Sequence, residues 1–337
     1  MTDITRPARF DILGIGNAIV DVVAPVEEGF LSRHALRKGG MALVDAEQAD
    51  ALYAAMPPGQ ESSGGSVANT CAVAAGLGAR VAYFGTVADD QLGAVFRHDI
   101  AAAGVHFPTP ALVGGAPTAR CLIVVTPDGQ RTMNTFLGAC VAFGEEELEP
   151  AVVADSAVVY LEGYLFDPPA AQAAFRRAAR LAHDAGRQVA LSLSDVFCVD
   201  RHRAAFLALL ADDVDILFAN EAEICSLYEV NDFASAAAAA ARGVRLAALT
   251  RSEAGSLIIR GDERHVVAAV PTQVVDSTGA GDAYAAGFLT GLTAGRPLDV
   301  CGRLGSIAAA EVVSHYGARP IADLRARAAS LLGDTMS

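Results

Sequence analysis

The strongest chemical pattern is a glycine-rich segment near the carboxyl end, Asp276-Ser-Thr-Gly-Ala-Gly-Asp282. Gly279 and Gly281 let the backbone approach a ligand closely, and the amides that begin the predicted next helix suit an anion. Asp282 falls in the first turn of that helix, where a carboxylate can accept the proton of an attacking hydroxyl. A plain turn followed by an acidic residue that favours a helix N-terminus gives the same pattern, so both interpretations stay open.

A second pattern, Asn220-Glu-Ala-Glu223, directly follows the apolar run at 215–219. At the carboxyl end of a parallel strand, an amide and a carboxylate can hold hydrated Mg²⁺ through its water ligands. The same spacing is typical of a capping box, with Asn220 as the N-cap and Glu223 three residues later. Taken alone, the pattern favours the capping box.

A third set of short polar residues lies beside glycines in the amino-terminal part of the chain: Asn17, Asp21, Gly64, Gly65 and Asn69. Such residues suit vicinal hydroxyls, because a carboxylate accepts from two OH groups and an amide both donates and accepts. These positions predict sugar recognition, with turn residues and a helix cap as the alternatives.

Two common nucleotide motifs are excluded by single positions. Gly14 and Gly16 begin a dinucleotide fingerprint, but the third glycine position holds Ile19. Lys38 is the only lysine and is followed by Gly39, so the chain has no Walker motif. Arginines and backbone amides must therefore bind anions.

Composition narrows the class of partner. The chain has 337 residues, and 25 Lys+Arg against 39 Asp+Glu give a net charge of −14, which argues against nucleic acid or an anionic membrane as the main partner. The first ten residues lack the apolar core of a secretory signal, and six cysteines without CxxC spacing indicate reduced thiols. We expect a cytoplasmic protein that acts on a small molecule.

The order of apolar runs predicts a doubly wound α/β fold. Strand-like runs at 157–163, 188–193 and 215–220 alternate with helical patterns near 169–185 and 201–211. The alanine run at 234–243 predicts a further helix. At 111–137, two strand patterns around Asp128-Gly129 predict a small antiparallel element, either a lid over the site or an ordinary edge hairpin.

Together, these motifs and their order resemble the ribokinase family of carbohydrate and nucleoside kinases, also called the PfkB family. The resemblance covers nearly the whole chain and is greatest for the adenosine kinase branch, in which the first Asn and Asp are four residues apart, as Asn17 and Asp21 are. It implies one catalytic domain over 1–337, with a three-layer αβα fold, a mostly parallel central sheet and a small β-sheet lid from about 14–45 and 109–137.

The same resemblance implies an ATP-dependent kinase that transfers the γ-phosphate to the primary, 5′-type hydroxyl of a nucleoside, with adenosine as the first candidate. A sugar kinase of the ribokinase or fructokinase type, or an inosine or guanosine kinase, is the alternative within the family. A catalytically silent binding protein is the alternative outside it. The oligomeric state stays open between monomer and homodimer.

The family pattern assigns a role to each matching residue. Asp282 is the base, and the amides of Gly279, Ala280 and Gly281 form the anion hole. The acceptor and transferring phosphates are assigned to Asn17, Asp21, Gly64, Gly65, Asn69, Leu165 and Arg131. The nucleotide is assigned to Asn220, Thr250, Ser252, Gly255 and Thr278. Mg²⁺ is assigned to Asn220 and Glu223 through water, and a monovalent cation such as K⁺ to Asp276.

One position departs from the adenosine kinase pattern. That branch places an aromatic side chain on the purine two residues after the glycine that matches Gly163, but this chain has Leu165 there. Tyr164, Phe166, Phe136 and Phe197 are the other candidates to line a base pocket, and each is equally typical of a core residue.

Overall fold

The structure, a computed structural model, describes residues 7–333 and contains a large and a small sheet in that part of the chain. The strands in chain order are β1 Phe10–Ile15, β2 Ile19–Pro25, β3 Met41–Leu43, β4 Gln60–Gly64, β5 Val81–Phe84, β6 Val105–His106, β7 Ala119–Val125, β8 Arg131–Phe136, β9 Ser156–Glu162, β10 Gln188–Ser192, β11 Ile216–Asn220, β12 Leu246–Thr250, β13 Ser256–Arg260 and β14 Glu263–Val267. The helices are α1 Glu28–Arg33, α2 Ala46–Ala55, α3 Ser66–Gly76, α4 Gln91–Ala102, α5 Pro150–Ala154, α6 Pro169–Asp184, α7 Val196–Asp212, α8 Glu221–Leu227, α9 Phe233–Gly243, α10 Ala280–Thr293, α11 Leu298–Val312 and α12 Leu324–Leu332.

The large sheet has nine strands in the order β14-β13-β12-β11-β10-β9-β1-β5-β6. Its strands pair in parallel except at one end, where β13 is antiparallel to both β12 and β14. Because parallel strands all end at one edge, the residues that follow β1, β9, β10, β11 and β12 meet there.

Helices cover both faces of the large sheet, and two hydrophobic clusters fill the layers between them. Strand β1 shows the alternation, since Ile12 belongs to the cluster under α3, α10 and α11 while Leu13 belongs to the cluster under α6 and α7. The three-layer αβα arrangement with a mostly parallel sheet is confirmed. No helix within residues 7–333 combines the length and the apolarity needed to cross a membrane.

The small sheet has five strands in the order β3-β8-β7-β2-β4. The turn at Asp128-Gly129 joins the antiparallel pair β7 and β8, as the sequence predicts. This element is larger than a hairpin, because β2, β3 and β4 pair with it. Strand β4 lies outside the two expected segments, and β1 belongs to the large sheet.

Two element boundaries differ from the sequence prediction, and local capping explains the first of them. Helix α7 begins at Val196 rather than near 201, because the side chain of Asp195 accepts a hydrogen bond from the Cys198 amide and caps the helix there. Strand β14 ends at Val267, so the apolar stretch before the glycine-rich segment continues as an irregular connection rather than as a strand.

Candidate functional site

A cavity of about 970 Å³ lies at the carboxyl edge of the large sheet, with the small sheet forming part of its wall. Both sheets and the start of α10 contribute polar side chains to it. The residues of the sequence prediction that line it are Asn17, Asp21, Gly65, Asn69, Asn220, Glu223, Thr250, Thr278, Gly279, Ala280, Gly281 and Asp282. The fold therefore brings together motifs that are far apart in the chain.

Asp282 lies in the first turn of α10 and on the cavity wall. Ser66 Oγ donates to Asp282 Oδ1 over 2.6 Å, and the side chain of Asn69 makes a second hydrogen bond to this carboxylate. Burial raises the pKa of Asp282 to about 7, against the opposing effect of these two hydrogen bonds. A carboxyl group with this pKa can take up a proton from a bound hydroxyl near neutral pH.

The backbone before Asp282 is shaped to offer amides. Gly279 caps α10 in the left-handed region at φ 76°, and a Cβ there would lie 2.6 Å from the Cβ of Ala318. The Ala280 amide donates to the Ser277 carbonyl over 3.2 Å, whereas the Gly279 and Gly281 amides have no acceptor within residues 7–333. Two of the three predicted anion-hole amides are thus free to bind a ligand.

Asn17 and Glu162 form a buried pair at the ends of β1 and β9. Asn17 Nδ2 donates to Glu162 Oε1 over 2.8 Å, and the Val67 amide donates to Glu162 Oε2 over 2.9 Å. Glu162 is only 1% exposed, and burial raises its pKa to about 7. Glu162 has no role in the sequence prediction, although a lone acidic residue at the end of an apolar strand is a usable signal.

Asp21 lies on β2, where its carboxylate also lines the cavity. Burial raises its pKa to about 6, while the positive charges of Arg319 and Arg131 oppose that increase. A Cβ on Gly64 would lie 2.4 Å from Asp21 Oδ2, so the glycine leaves room for this carboxylate. Gly65, at φ 95°, leaves similar room for the Asn17 carbonyl.

At the end of β11, the capping-box interpretation of Asn220 and Glu223 is correct. Asn220 Oδ1 accepts from the Glu223 amide, and Glu223 Oε2 accepts from the Asn220 amide, each over 2.9 Å. Both residues line the cavity, and burial raises the pKa of Glu223 to about 7. A cap and a cation site are compatible here, because a carboxylate oxygen that accepts one hydrogen bond keeps a further lone pair.

Thr250 and Thr278 line the cavity, but Ser252 and Gly255 do not. Gly255 lies in the turn between β12 and β13, where a Cβ would lie 2.1 Å from the Val267 carbonyl oxygen. Close packing against the end of β14 therefore explains this glycine without a ligand.

Arg131 of β8 and Asp276 form an ion pair whose side chains are only 9% and 8% exposed. Asp276 also accepts from the Gly317 amide over 3.0 Å and from the amide and hydroxyl of Thr278. Close to this pair, the turn at Gly129 packs against the hydroxyl of Tyr316. The small sheet is thus held against the segment before α10, and neither member of the pair lies on the cavity wall.

The aromatic candidates divide between the cavity and the core. Leu165 and Phe166 are 1% and 0% exposed and belong to the core on the α6 side of the sheet. Phe136 packs against the other hydrophobic cluster. Tyr164 and Phe197 line the cavity.

The small sheet and the residue that follows it add apolar side chains to the same cavity: Ile19, Met41, Leu43, Ile123, Met133 and Leu137. Met41 and Leu43 are 52% and 59% exposed, which is unusual for large apolar side chains. This apolar wall is the part of the cavity that the motifs did not predict. Strand pairing to β8 places β3 here, and its three residues carried no chemical signal.

No group of three or more His, Cys, Asp or Glu side chains in the described part of the chain is arranged to hold a metal ion. Asn220 and Glu223 supply amide and carboxylate oxygens at the cavity wall, and oxygen ligands of these kinds suit Mg²⁺.

Comparison with known proteins identifies close relatives. The model of the pfkB family carbohydrate kinases matches residues 43–324. The crystal structure of an adenosine kinase from Sinorhizobium meliloti is 54% identical with a TM-score of 0.89, covering 96% of this chain and 100% of that one. A probable sugar kinase from Rhizobium etli is 50% identical with a TM-score of 0.89, covering 97% and 99%. The ATP-dependent ribose-1-phosphate kinase of Halopiger xanaduensis is 30% identical over 260 residues, 74% of this chain and 81% of that protein.

Proposed function

This chain belongs to the pfkB family of carbohydrate kinases, a family of phosphotransferases that act on hydroxyl groups, and on that premise we propose that its acceptor is a nucleoside, with adenosine first. The reaction is transfer of the ATP γ-phosphate to the 5′-hydroxyl. The 54% identical adenosine kinase from Sinorhizobium meliloti supports this choice.

The apolar wall of the cavity is the observation that carries the proposal. A free sugar presents hydroxyls on every side and is bound by polar groups, whereas a nucleobase needs apolar contact on its faces. Met41 and Leu43 on β3 and Met133 on β8 supply such contact on the same wall as Asp21.

The chemistry follows from where the polar groups lie. Phosphoryl transfer has a loose transition state, so positioning and charge neutralisation contribute more than a strong base. Asp282 accepts the proton of the attacking hydroxyl, and the free amides of Gly279 and Gly281 bind the transferring phosphoryl group. Asn17, Asp21 and Asn69 hold the ribose hydroxyls.

ATP is the phosphate donor of the family, and we assign Mg²⁺ to the Asn220 and Glu223 side, where it would neutralise phosphate charge. Burial raises the pKa of Glu223 to about 7, and a cation bound there would favour its ionised form. For Asp276, the ion pair with Arg131 must be accommodated by any monovalent cation bound there. The six free cysteines support a reducing, cytoplasmic location.

A sugar kinase is the second candidate, because the probable sugar kinase from Rhizobium etli is similarly related and Leu165 offers no aromatic contact to a base. An anionic acceptor would be favoured by Arg37, a cation on the cavity wall. These alternatives differ from adenosine in the acceptor only, so an acceptor panel separates them.

ADP release with Mg-ATP is measured against adenosine, inosine, guanosine, cytidine, ribose, fructose and ribose 1-phosphate. We expect turnover with adenosine, and we expect Leu43→Ser to raise the KM for adenosine while the KM for ATP stays unchanged. Val113→Ser is the matched control, since Val113 is 79% exposed and does not line the cavity. Turnover with a free sugar or its phosphate alone would reject the nucleoside assignment.

A further inference from the structure

The connection between α11 and α12, residues 313–323, packs against the glycine-rich segment that leads into α10. The Gly317 amide donates to Asp276, and Ala318 packs against Gly279. Glu311 anchors the far end of this connection, since its Oε1 accepts from the Ile321 and Ala322 amides over 3.0 and 2.9 Å. The connection is therefore fixed on the site rather than loosely attached.

Arg319 is the charged residue of this connection that reaches the acceptor side. Its Nε donates to Asn69 Oδ1 over 3.2 Å, and its Nη1 lies 3.4 Å from Asp99 Oδ2. Asp99 also accepts from the Ser63 amide over 2.8 Å, so Arg319 and the end of β4 share one carboxylate. The guanidinium thus links α3, α4 and β4 beneath the acceptor residues.

The chemistry of the amide fixes how Asn69 must point. In its ionised form, which is the form that acts as the base, the Asp282 carboxylate only accepts, so the Asn69 side chain must offer it Nδ2 as a donor. The guanidinium only donates, so it must meet Asn69 Oδ1. Flipping the amide would place oxygen against oxygen and donor against donor, and both contacts would be lost at once.

We propose that Arg319 is a positioning residue of the kinase reaction: its hydrogen bond to Asn69 Oδ1 locks that amide with Nδ2 toward Asp282. The inference rests on the proposed function for its catalytic consequence but not for its geometry. Arg319 belongs to none of the sequence motifs, so the proposal adds a residue to the site that those motifs do not predict.

Two observations favour positioning over a purely structural role. Arg319 Nη2 is buried without a hydrogen-bond partner among residues 7–333, and burial lowers the pKa of the guanidinium. A buried donor without a partner and a desolvated charge both reduce stability. An arginine is therefore a costly residue for a purely structural role here, because an apolar side chain of similar length would fill the same space without an unpartnered donor or a buried charge.

The polar and charged groups around Asp282 and Asp21 determine how replacing Arg319 should change the pKa values of these two carboxyl groups. Asp282 faces Ser66 and Asn69 from α3, and the charges of Asp21, Glu162 and Glu223 act on the same region. Asp21 is opposed by Arg319 and by Arg131. Without Arg319, Arg131 is the positive charge that still lowers the pKa of Asp21.

The first test compares Arg319→Met and Arg319→Lys with wild type, using the acceptor that wild type phosphorylates fastest. We expect Arg319→Met to lower kcat/KM for the acceptor about 10- to 100-fold, as for other groups that orient a contact residue. The KM for ATP should stay within about twofold. The acid limb of the pH profile should move to higher pH, and Arg319→Lys should reverse this shift because it keeps the charge. Arg325→Met, which removes an exposed arginine of α12, is the matched control.

An unchanged acceptor kcat/KM in Arg319→Met would overturn the proposal, as would equal losses for acceptor and ATP accompanied by a lower melting temperature. The second test needs no turnover. The Asn69 Nδ2 amide resonances, assigned by their loss in Asn69→Ala, should shift in Arg319→Met and stay in place in Arg325→Met. Unmoved resonances in Arg319→Met would also overturn it. Absence of turnover in wild type with every acceptor would reject the proposed function alone, and the resonances would still decide the role of Arg319.

Discussion

The two halves of the cavity are built in different ways. On the side of β11 and the segment before α10, the side-chain hydrogen bonds of the wall residues Asn220, Glu223 and Thr278 join residues two or three positions apart. Asp276, which lies off the wall, is the exception, because it also pairs with distant parts of the chain. On the side of β1 and α3, they join residues 145 positions apart for Asn17 and Glu162 and 250 positions apart for Asn69 and Arg319. One half is therefore shaped by short segments, and the other forms only when distant parts of the chain have packed.

This difference predicts how substitutions should behave. A change in the locally built half should act on the nucleotide alone, since its hydrogen bonds close within one helix cap or one turn. A change in the other half should spread to its distant partners and give non-additive effects with them. Asp282 lies between the halves and should give the largest effect of all.

Asp282→Asn removes the base and keeps a side chain of the same shape. We expect turnover to fall by about 10²- to 10⁴-fold, with ATP binding retained. The variant should also melt at a higher temperature at pH 8, where wild type must keep a buried carboxylate ionised.

The pH dependence checks the cause of that stabilisation. In wild type the folded-state pKa is raised from 3.8 to about 7, so the folded protein takes up this proton between these values and gains stability as the pH falls. The difference in melting temperature should thus shrink from pH 8 to pH 5. A constant difference, or unchanged turnover, would contradict the assignment of Asp282.

Glu162→Gln and Glu223→Gln test the comparison directly, one in each half. In Glu162→Gln the new amide meets two donors, Asn17 Nδ2 and the Val67 amide, so one contact is lost and the KM for the acceptor should rise about tenfold or more. In Glu223→Gln the capping box can persist, because glutamine also serves at that position. The Mg²⁺ concentration for half-maximal rate should rise instead, with little change in the acceptor KM.

Initial rates with each substrate varied in turn measure both variants. Each variant serves as the control for the other, since each removes one buried charge from the same cavity. Equal effects on the acceptor and on Mg-ATP in both variants would show that the halves are not independent.

Ser66→Ala should give the smallest effect. Its hydroxyl donates to Asp282 Oδ1 over 2.6 Å and lowers the pKa of that carboxyl, so its loss should raise the pKa further above 7. Because the base must be ionised, kcat/KM should fall several-fold at pH 6.5 and approach wild type at pH 9. Profiles from pH 5.5 to 9.5, with the exposed Ser330→Ala as control, measure the shift. A parallel loss at all pH values would show that Ser66 acts in some other way.

The same contrast explains which parts of the fold and of the site can be predicted from the sequence. Continuous apolar runs predict the parallel sheet. The motifs at Asn220 and Asp282 predict that these residues lie at the site, because each motif is complete within a few residues. Strand β4 was not predicted, since Gln60–Gly64 has no apolar alternation and is fixed by pairing with β2. No local pattern in the sequence points to Arg319, because its role depends on contacts with Asn69 and Asp99, which are distant in the chain.

Leu165 shows a limit of reasoning from family spacing. The spacing placed it against a base, but the short turn Gly163–Phe166 directs neighbouring residues to different surroundings. Tyr164 lines the cavity, and Leu165 enters the core with Phe166. Counting residues from a glycine cannot distinguish these two environments, because the direction of each side chain depends on the backbone of the turn.

The ion pair of Arg131 and Asp276 joins the small sheet to the segment before α10 through two nearly buried charges. Both side chains are nearly dry, and a buried charge left without its partner costs on the order of 3–5 kcal/mol. The two charges can part at low cost only if solvent reaches both as they separate. Any movement of the small sheet away from the segment before α10 would therefore have to admit water to this pair.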